Sequence, residues 1–113
     1  MNSKCSFLLF LLLTACLLVN AQQVPATLIA KKIADRITDS LALSEQQRAA
    51  LYAINMQLHD RKMLLRQQYS SPDSLRYYLQ AAENSRDSLY LPVLGKEKFA
   101  LYLRKKRNLV NNN

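Results

Sequence analysis

The stretch from Leu41 to Tyr69, LALSEQQRAALYAINMQLHDRKMLLRQQY, contains neither glycine nor proline. It opens with Leu43-Ser44-Glu45-Gln46-Gln47, which is typical of a helix N-terminus. Ser44 can cap the helix, and Gln47 stands three residues later, where it completes a capping box. The stretch therefore predicts one long, uninterrupted helix.

Glycine and proline divide the rest of the chain into further helical segments. The single glycine is Gly95, and the prolines are Pro25, Pro72 and Pro92. No segment between them alternates apolar and polar residues with the period of two that a strand requires. We therefore predict an all-α fold, a small bundle of about four amphipathic helices, in which Leu91-Pro92 breaks the chain before a last short helix.

Two of the shorter segments carry a single apolar stripe at helical spacing. The stripe after Pro25 consists of Ile29, Ile33, Ile37 and Leu41, and the stripe after Pro72 consists of Leu75, Tyr78, Leu79, Ala82 and Leu89. Arg86 lies within the latter stripe, and we expect it to extend to the surface or to pair across an interface. We expect Glu83 and Asp87 to face water.

The long helix carries two apolar stripes. The first consists of Leu51, Ile54, Leu58, Leu65 and Tyr69, and the second consists of Tyr52, Met56, His59 and Met63. The two stripes lie roughly 140° apart around the helix. A small domain needs one stripe for its core. The second is packed by another helix of the same chain, by a dimer mate, or by a bound partner.

The first residues are typical of an export signal. Lys4 precedes an apolar stretch over 7–19, and Val19-Asn20-Ala21 favours cleavage before Gln22. The alternative is a lipoprotein, because Leu13-Thr14-Ala15-Cys16 fits the pattern in which the cysteine is acylated. We expect a signal peptide over 1–21, a single helical domain over 22–110 and a disordered tail over 111–113, in a protein that is periplasmic or secreted in a Gram-negative bacterium, or anchored through Cys16.

Cleavage after Ala21 would remove Cys5 and Cys16, the only cysteines. The mature chain would then have no disulfide and no thiolate ligand or nucleophile. Removal of 21 residues from 113 leaves 92, and loss of Lys4 leaves 15 basic and 8 acidic residues. A small domain without disulfides gains stability from oligomerisation, which favours a homodimer.

The Leu43-Ser44-Glu45-Gln46-Gln47 stretch resembles the Leu-Thr-x-x-Gln motif of the Spy/CpxP family of small periplasmic helical proteins, with serine in place of threonine. Members usually carry a second copy near the C-terminus. Leu94-Gly95-Lys96-Glu97-Lys98-Phe99 corresponds to it, keeping Leu94, Glu97 and Phe99 and lacking the threonine, proline and glutamine. The resemblance implies a curved four-helix protomer, an extended antiparallel helical homodimer, and an ATP-independent chaperone or stress-sensing role in the envelope.

Such a chaperone would capture unfolded, acidic segments through basic side chains and then hold them through flexible methionines and amphipathic tyrosines. The candidate residues for binding a client or partner protein are Tyr52, Met56, Arg61, Lys62, Met63, Arg66, Tyr77, Tyr78, Arg104, Lys105, Lys106 and Arg107.

The basic cluster Arg104-Lys105-Lys106-Arg107 has alternative interpretations. It can be a solvated helix end, where cations favour the negative end of the helix dipole. It can also attract an acidic client or anionic lipid head groups. The export signal argues against nucleic acid. An adaptor that docks on one envelope partner or on the membrane through this cluster is therefore our alternative function.

The chain lacks the features of an enzyme, since it has one histidine, no Gly-rich loop and no carboxylate pair at a useful spacing. We expect no catalysis and no cofactor. Met56, His59 and Met63 project from one side of the long helix, and two thioethers with an imidazole can bind a soft ion such as Cu(I). A metal-responsive sensor is thus a third hypothesis, and a packed stripe in which His59 finds a polar partner is its alternative.

Overall fold

The computed structural model describes residues 24–110, which form three helices and no strand. Helix α1 spans Ala26–Leu41, α2 spans Glu45–Gln68 and α3 spans Pro72–Val110. The prediction of an all-α fold is confirmed. The expected signal peptide, Cys16 and the tail over 111–113 lie outside the described residues.

Helix α3 folds back on itself at Gly95, the one residue within it whose backbone is not helical (φ 77°, ψ 165°). Asp87 accepts hydrogen bonds from Lys106 at 2.7 Å and from Tyr102 at 3.1 Å. A straight helix would place residues 87 and 106 about 28 Å apart. The bend therefore divides α3 into a first limb over 72–94 and a second limb over 96–110, which pack against each other.

Residues 24–110 thus form three helices in place of the four expected, because the helix does not end at Leu91-Pro92. Pro92 lies inside α3. Proline removes one backbone donor and crowds the preceding turn, and here the chain stays helical for two residues after Pro92 before it turns at Gly95. The reversal occurs at Gly95 because glycine has access to backbone conformations that side chains exclude.

Helices α1 and α2 are antiparallel neighbours. The Asn55 side chain donates to the backbone oxygen of Ala30 at 3.0 Å, and Arg48 lies 3.2 Å from Asp35. Helix α2 in turn runs antiparallel to the first limb of α3, since Gln47 near its start contacts Val93 and Lys62 near its end pairs with Glu83.

The second limb of α3 returns along α1 and closes the bundle. Arg36 donates to the backbone oxygen of Leu109 at 3.1 Å, and Lys98 donates to that of Ala42 at 2.7 Å. Four antiparallel segments (α1, α2 and both limbs of α3) therefore surround one core. Its buried residues are Ile33, Ala34, Ile37, Leu41, Leu51, Tyr90, Leu94, Tyr102, Leu109 and Val110.

At one end of the part of the chain that the structure describes, two helices continue past the third. Helix α1 begins about 6 Å before Ala30, whereas α2 continues about 20 Å beyond Asn55, which contacts Ala30. The end of α2 and the start of α3 therefore project past the bundle as a helical hairpin. Its tip is closed by Tyr69 and Tyr78, whose rings stack with centroids 4.2 Å apart.

Among the described residues, no helix combines the length and the apolar character that crossing a lipid bilayer would require.

Candidate functional site

The start of α2 forms the capping box that the sequence predicts. The Gln47 amide donates to Ser44 Oγ at 3.1 Å, and the Ser44 amide donates to Gln47 Oε1 at 2.9 Å. The remaining nitrogen of this side chain, Nε2, donates to the backbone oxygen of Val93 at 3.0 Å. Gln47 therefore caps its own helix and also holds the turn of α3 just before the bend.

The two motif-like stretches lie side by side. Leu94 is buried in the core, and Leu43 and Phe99 pack against it. The link from Lys98 to Ala42 joins the same two stretches. Glu97 is exposed. The structure thus brings Leu43, Leu94 and Phe99 together as packing residues around the bend of α3.

A buried polar network that the sequence analysis missed lies between α2 and α3. Arg86 is 5% exposed and donates to Asn55 Oδ1 at 2.6 Å and to Tyr90 Oη at 3.0 Å. The Tyr90 hydroxyl also donates to Asn55 Oδ1. Arg86 Nε donates to Glu83 at 2.7 Å. The expectation that Arg86 reaches the surface or pairs across an interface is therefore wrong, because its partners stand within its own chain.

The expectation that Glu83 and Asp87 face water is also wrong. Both are half-buried. Glu83 accepts from Arg86 and from Lys62, and Asp87 accepts from Tyr102 and Lys106. Glu83 faces α2, and Asp87 faces the returning second limb of α3. A helical wheel of α3 alone shows neither of these neighbours.

These contacts keep the network charged. Burial alone would raise the pKa of Glu83, but the hydrogen bonds from Arg86 and Lys62 outweigh it and lower that pKa to about 2. Burial opposes the charge of Arg86, yet its hydrogen bond to Glu83 raises its pKa. Burial also raises the pKa of Tyr90 and of Tyr102, so both phenols stay neutral donors. The network is a fixed structural element.

A cavity of about 390 Å³ opens beside this network, where the hairpin leaves the bundle. Its lining comes from all three helices, and its members are Ala26, Ile29, Ala30, Ile33, Asn55, His59, Lys62, Arg66, Glu83, Arg86 and Val110. The sequence analysis did not anticipate it.

The hairpin exposes large apolar side chains. Met63 is 47% exposed, Leu64 58%, Tyr77 70% and Tyr78 38%. We call these four residues the hairpin surface. Three of them are candidate binding residues from the sequence, and Leu64 was missed because it lies on neither stripe of the long helix.

The second apolar stripe of α2 is divided by the structure. Tyr52 is half-buried and packs against the core, and Met56 and His59 are also half-buried, whereas Met63 is exposed. The stripe therefore serves the protein's own fold near the start of α2 and faces solvent only on the hairpin.

The candidate basic residues fall into two groups. Lys62 and Lys106 are held in ion pairs with Glu83 and Asp87, and Lys105 lies 3.4 Å from the hydroxyl of Ser40. The other four are exposed and have no polar partner among the described residues; they are Arg61, Arg66, Arg104 and Arg107.

The surroundings of His59 do not favour a metal cation. His59 lines the cavity together with Lys62, Arg66 and Arg86, whose positive charges repel a metal ion. Within residues 24–110, no group of three or more histidine, cysteine or acidic side chains is placed to hold a metal.

Comparisons of the chain with protein-family models, with curated proteins and with solved structures find no match.

Proposed function

We propose that this protein is an exported, non-enzymatic, chaperone-like protein that binds unfolded segments of other envelope proteins, as its resemblance to the Spy/CpxP family implies. The hairpin surface carries the proposal. Met63, Leu64, Tyr77 and Tyr78 stand on a two-helix projection that no other helix of residues 24–110 covers. Large apolar side chains exposed on such a projection are suited to binding another protein.

Charge and flexibility supply the proposed mechanism. Arg61 and Arg66 are exposed on the same hairpin with no polar partner among the described residues, so they are available to attract acidic segments over a distance that depends on salt. Met63 then adapts its shape to the captured segment, and the tyrosines add contact area at low entropic cost. Lys62 contributes less, because binding to a client would require it to leave Glu83.

A homodimer is part of this proposal. Pairing of two copies would extend the hairpin surfaces of both into one longer surface, as the antiparallel arrangement implied by the resemblance requires. Sedimentation velocity over a range of protein concentrations tests it, and a monomer at all concentrations contradicts the dimer without affecting the binding of clients.

Aggregation assays on two unrelated client proteins test the proposed function. We expect the purified protein to suppress the light scattering of both, and more weakly for an acidic client as salt rises. The double variant Met63→Gln, Leu64→Gln should lose half or more of the suppression. Leu101→Gln with Leu103→Gln is the matched control, because these leucines are 38% and 48% exposed on the second limb of α3.

Unchanged suppression of aggregation by the hairpin variant would show that clients bind to another surface of the protein. Absence of suppression by the wild-type protein at several-fold excess would reject the chaperone proposal.

A second candidate function is supported by exposed side chains of the second limb. Leu101 and Leu103 are exposed on the two flanks of the buried Tyr102, close in sequence to the exposed residues Arg104, Lys105 and Arg107. Apolar side chains interleaved with cations are typical of a helix that lies on an anionic membrane. Co-sedimentation with vesicles containing anionic lipid, but not with zwitterionic vesicles, would favour this adaptor function, and Leu101→Gln with Leu103→Gln should then abolish it.

A further inference from the structure

The cavity at the base of the hairpin has one charged wall and one apolar wall. Helix α2 and the first limb of α3 contribute the charged wall, which includes Lys62, Arg66, Glu83 and Arg86. The start of α1 and the end of α3 contribute the apolar wall, which includes Ile29 and Val110.

The charged wall carries an excess of positive charge. Among the described residues that line the cavity, three cations, Lys62, Arg66 and Arg86, accompany one carboxylate, that of Glu83. Glu83 already accepts hydrogen bonds from Lys62 and Arg86. Arg66 has no such partner among the described residues. An anion entering the cavity therefore finds a guanidinium whose donors are available, next to a second and a third positive charge.

The apolar wall favours an apolar group in the ligand, whereas the charged wall favours an anion. Ile29 continues the apolar stripe of α1 but is 38% exposed, and it lines the cavity. Burial of apolar surface by a ligand contributes about 25 cal/mol for each Å² removed from water. A ligand with both a charged head and an apolar body satisfies both walls.

We propose that this cavity binds small amphipathic carboxylates, with the carboxylate on Arg66 beside Lys62 and the apolar body against Ile29. A volume of about 390 Å³ lies within the range of small-molecule sites. Arginine is suited to the head group, since its planar donors match the two oxygens of a carboxylate. Free fatty carboxylates and the C-terminal residues of an apolar peptide share this chemistry. The site shares Arg66 with the proposed client-binding residues but contains none of the four residues of the hairpin surface, and it does not rest on the chaperone proposal.

Calorimetric titration of the purified protein with sodium octanoate, below the concentration at which it forms micelles, tests the site. We expect saturable binding at one site. Arg66→Gln should weaken it about tenfold, since a charge-assisted hydrogen bond is lost. Arg61→Gln is the matched control, because Arg61 is an exposed, unpartnered cation of the same helix that does not line the cavity, and it should change the affinity by less than about twofold.

Further ligands test the contribution of each wall and distinguish fatty carboxylates from peptide C-termini as the source of the ligand. Octanol supplies the apolar body without the charge and acetate supplies the charge without the body, and both should bind at least tenfold more weakly than octanoate. Ile29→Ser should weaken octanoate binding while circular dichroism shows an intact fold. A short leucine-rich peptide with a free C-terminus should compete with octanoate if peptide ends are the source, and its C-terminally amidated form should not.

Binding of octanoate or of the free peptide that depends on Arg66 but not on Arg61 supports the proposal. Equal losses in Arg66→Gln and Arg61→Gln would show non-specific attraction, and this result would overturn it. Absence of saturable binding by either carboxylate would overturn it as well.

Discussion

At Gly95 the backbone turns through a conformation that other residues rarely adopt, with φ 77° and ψ 165°. Apart from Gly95 and its two neighbours in the chain, no residue has a heavy atom within 4 Å of the position that a Cβ would occupy. A side chain would therefore meet no steric clash, and its cost would come from the backbone alone. Such conformations cost residues other than glycine about 1–3 kcal/mol.

We expect Gly95→Ala to lower the free energy of unfolding by about 1–3 kcal/mol. The reversal of α3 requires the Gly95 conformation, and alanine adopts it only under strain. Urea denaturation of the wild type and the variant, with an unchanged slope, measures the difference. A variant as stable as the wild type would show that the reversal does not depend on glycine.

Asparagine distinguishes this conformation from an ordinary left-handed turn. Ala42, after α1, has φ 52° and ψ 56°, a left-handed conformation that asparagine tolerates well. Ala42→Asn should therefore keep or slightly raise the stability. Gly95→Asn should destabilise as Gly95→Ala does, because ψ at Gly95 lies far from the left-handed helical region.

The low pKa of Glu83 makes the free energy of unfolding depend on pH in the acidic range. Its pKa is about 2 in the folded protein, compared with an ordinary value of 4.5. Since the folded pKa is the lower one, the contribution to stability is present above about pH 5 and is lost as pH falls towards 2. We expect the wild type to lose on the order of 2–3 kcal/mol from this group across that range.

Glu83→Gln is the informative variant. At neutral pH it should destabilise by about 3 kcal/mol, because Arg86 keeps its buried charge without a carboxylate partner. The difference from the wild type should shrink as pH falls from 5 to 2. Glu97→Gln removes an exposed carboxylate of the same helix and should follow the wild-type pH curve. Parallel curves for the wild type and Glu83→Gln would refute the assignment.

At the scale of the helices, Gln47 connects two elements through one amide group. Its oxygen accepts from Ser44 in the capping box, and its nitrogen donates to Val93 in α3. Capping boxes accept glutamate as well as glutamine at this position. The contact with Val93 requires the nitrogen.

We therefore expect Gln47→Glu to destabilise by about 1 kcal/mol, even though it keeps the capping box. A carboxylate oxygen would face the carbonyl of Val93, and this half-buried acceptor would lose its donor. Thermal unfolding at neutral pH measures the effect. Gln46→Glu adds the same charge one residue earlier at an exposed position, so it should leave stability unchanged or raise it by a few tenths of a kcal/mol.

The elements whose signals are local could be predicted from the sequence. The capping box at Ser44 and the buried stripe of Ile33, Ile37 and Leu41 depend on spacing within one helix, and both are present. Arg86 and Asn55 could not be paired from the sequence, because their contact joins positions 31 residues apart on different helices. Each interrupts an apolar stripe, and two such interruptions on neighbouring helices are the signal that could have revealed the network.

At the scale of the whole molecule, the hairpin and the bundle differ in how many neighbouring helices pack against α2. Residues 48–58 of α2 are flanked by α1 and α3, whereas residues 64–68 belong to the projecting part beyond α1. Local opening requires less free energy where fewer buried contacts are broken. We expect amide hydrogens of residues 64–68 to exchange about tenfold faster or more than those of 50–58.

Hydrogen exchange followed by NMR or mass spectrometry measures this difference within a single helix. Uniform protection along α2 would mean that another part of the protein or a second copy covers the hairpin. Addition of a client should slow exchange on the hairpin and leave the bundle unchanged.

The two candidate sites, the hairpin surface and the cavity, differ in how far the sequence predicts them. Met63 belongs to the second stripe of the long helix, which the sequence left open to another chain, and it is exposed. Tyr78 is 38% exposed although the sequence places it on the apolar stripe of α3. The cavity was not anticipated, because it exists where α1 begins late relative to α2 and where α3 returns to place Val110 beside Ile29. Relative offsets of helices are set by their packing, and no single helix encodes them.

The return of α3 also determines when the protein can fold. Arg36 in the first helix contacts Leu109, 73 residues later in the chain. At about 5–20 residues per second, the ribosome needs roughly 4–15 s to add that length. During this interval the apolar stripe of α1 has no second limb to pack against, so the bundle cannot close before Leu109 has been added. The first helices must stay unaggregated in an incompletely packed state until then.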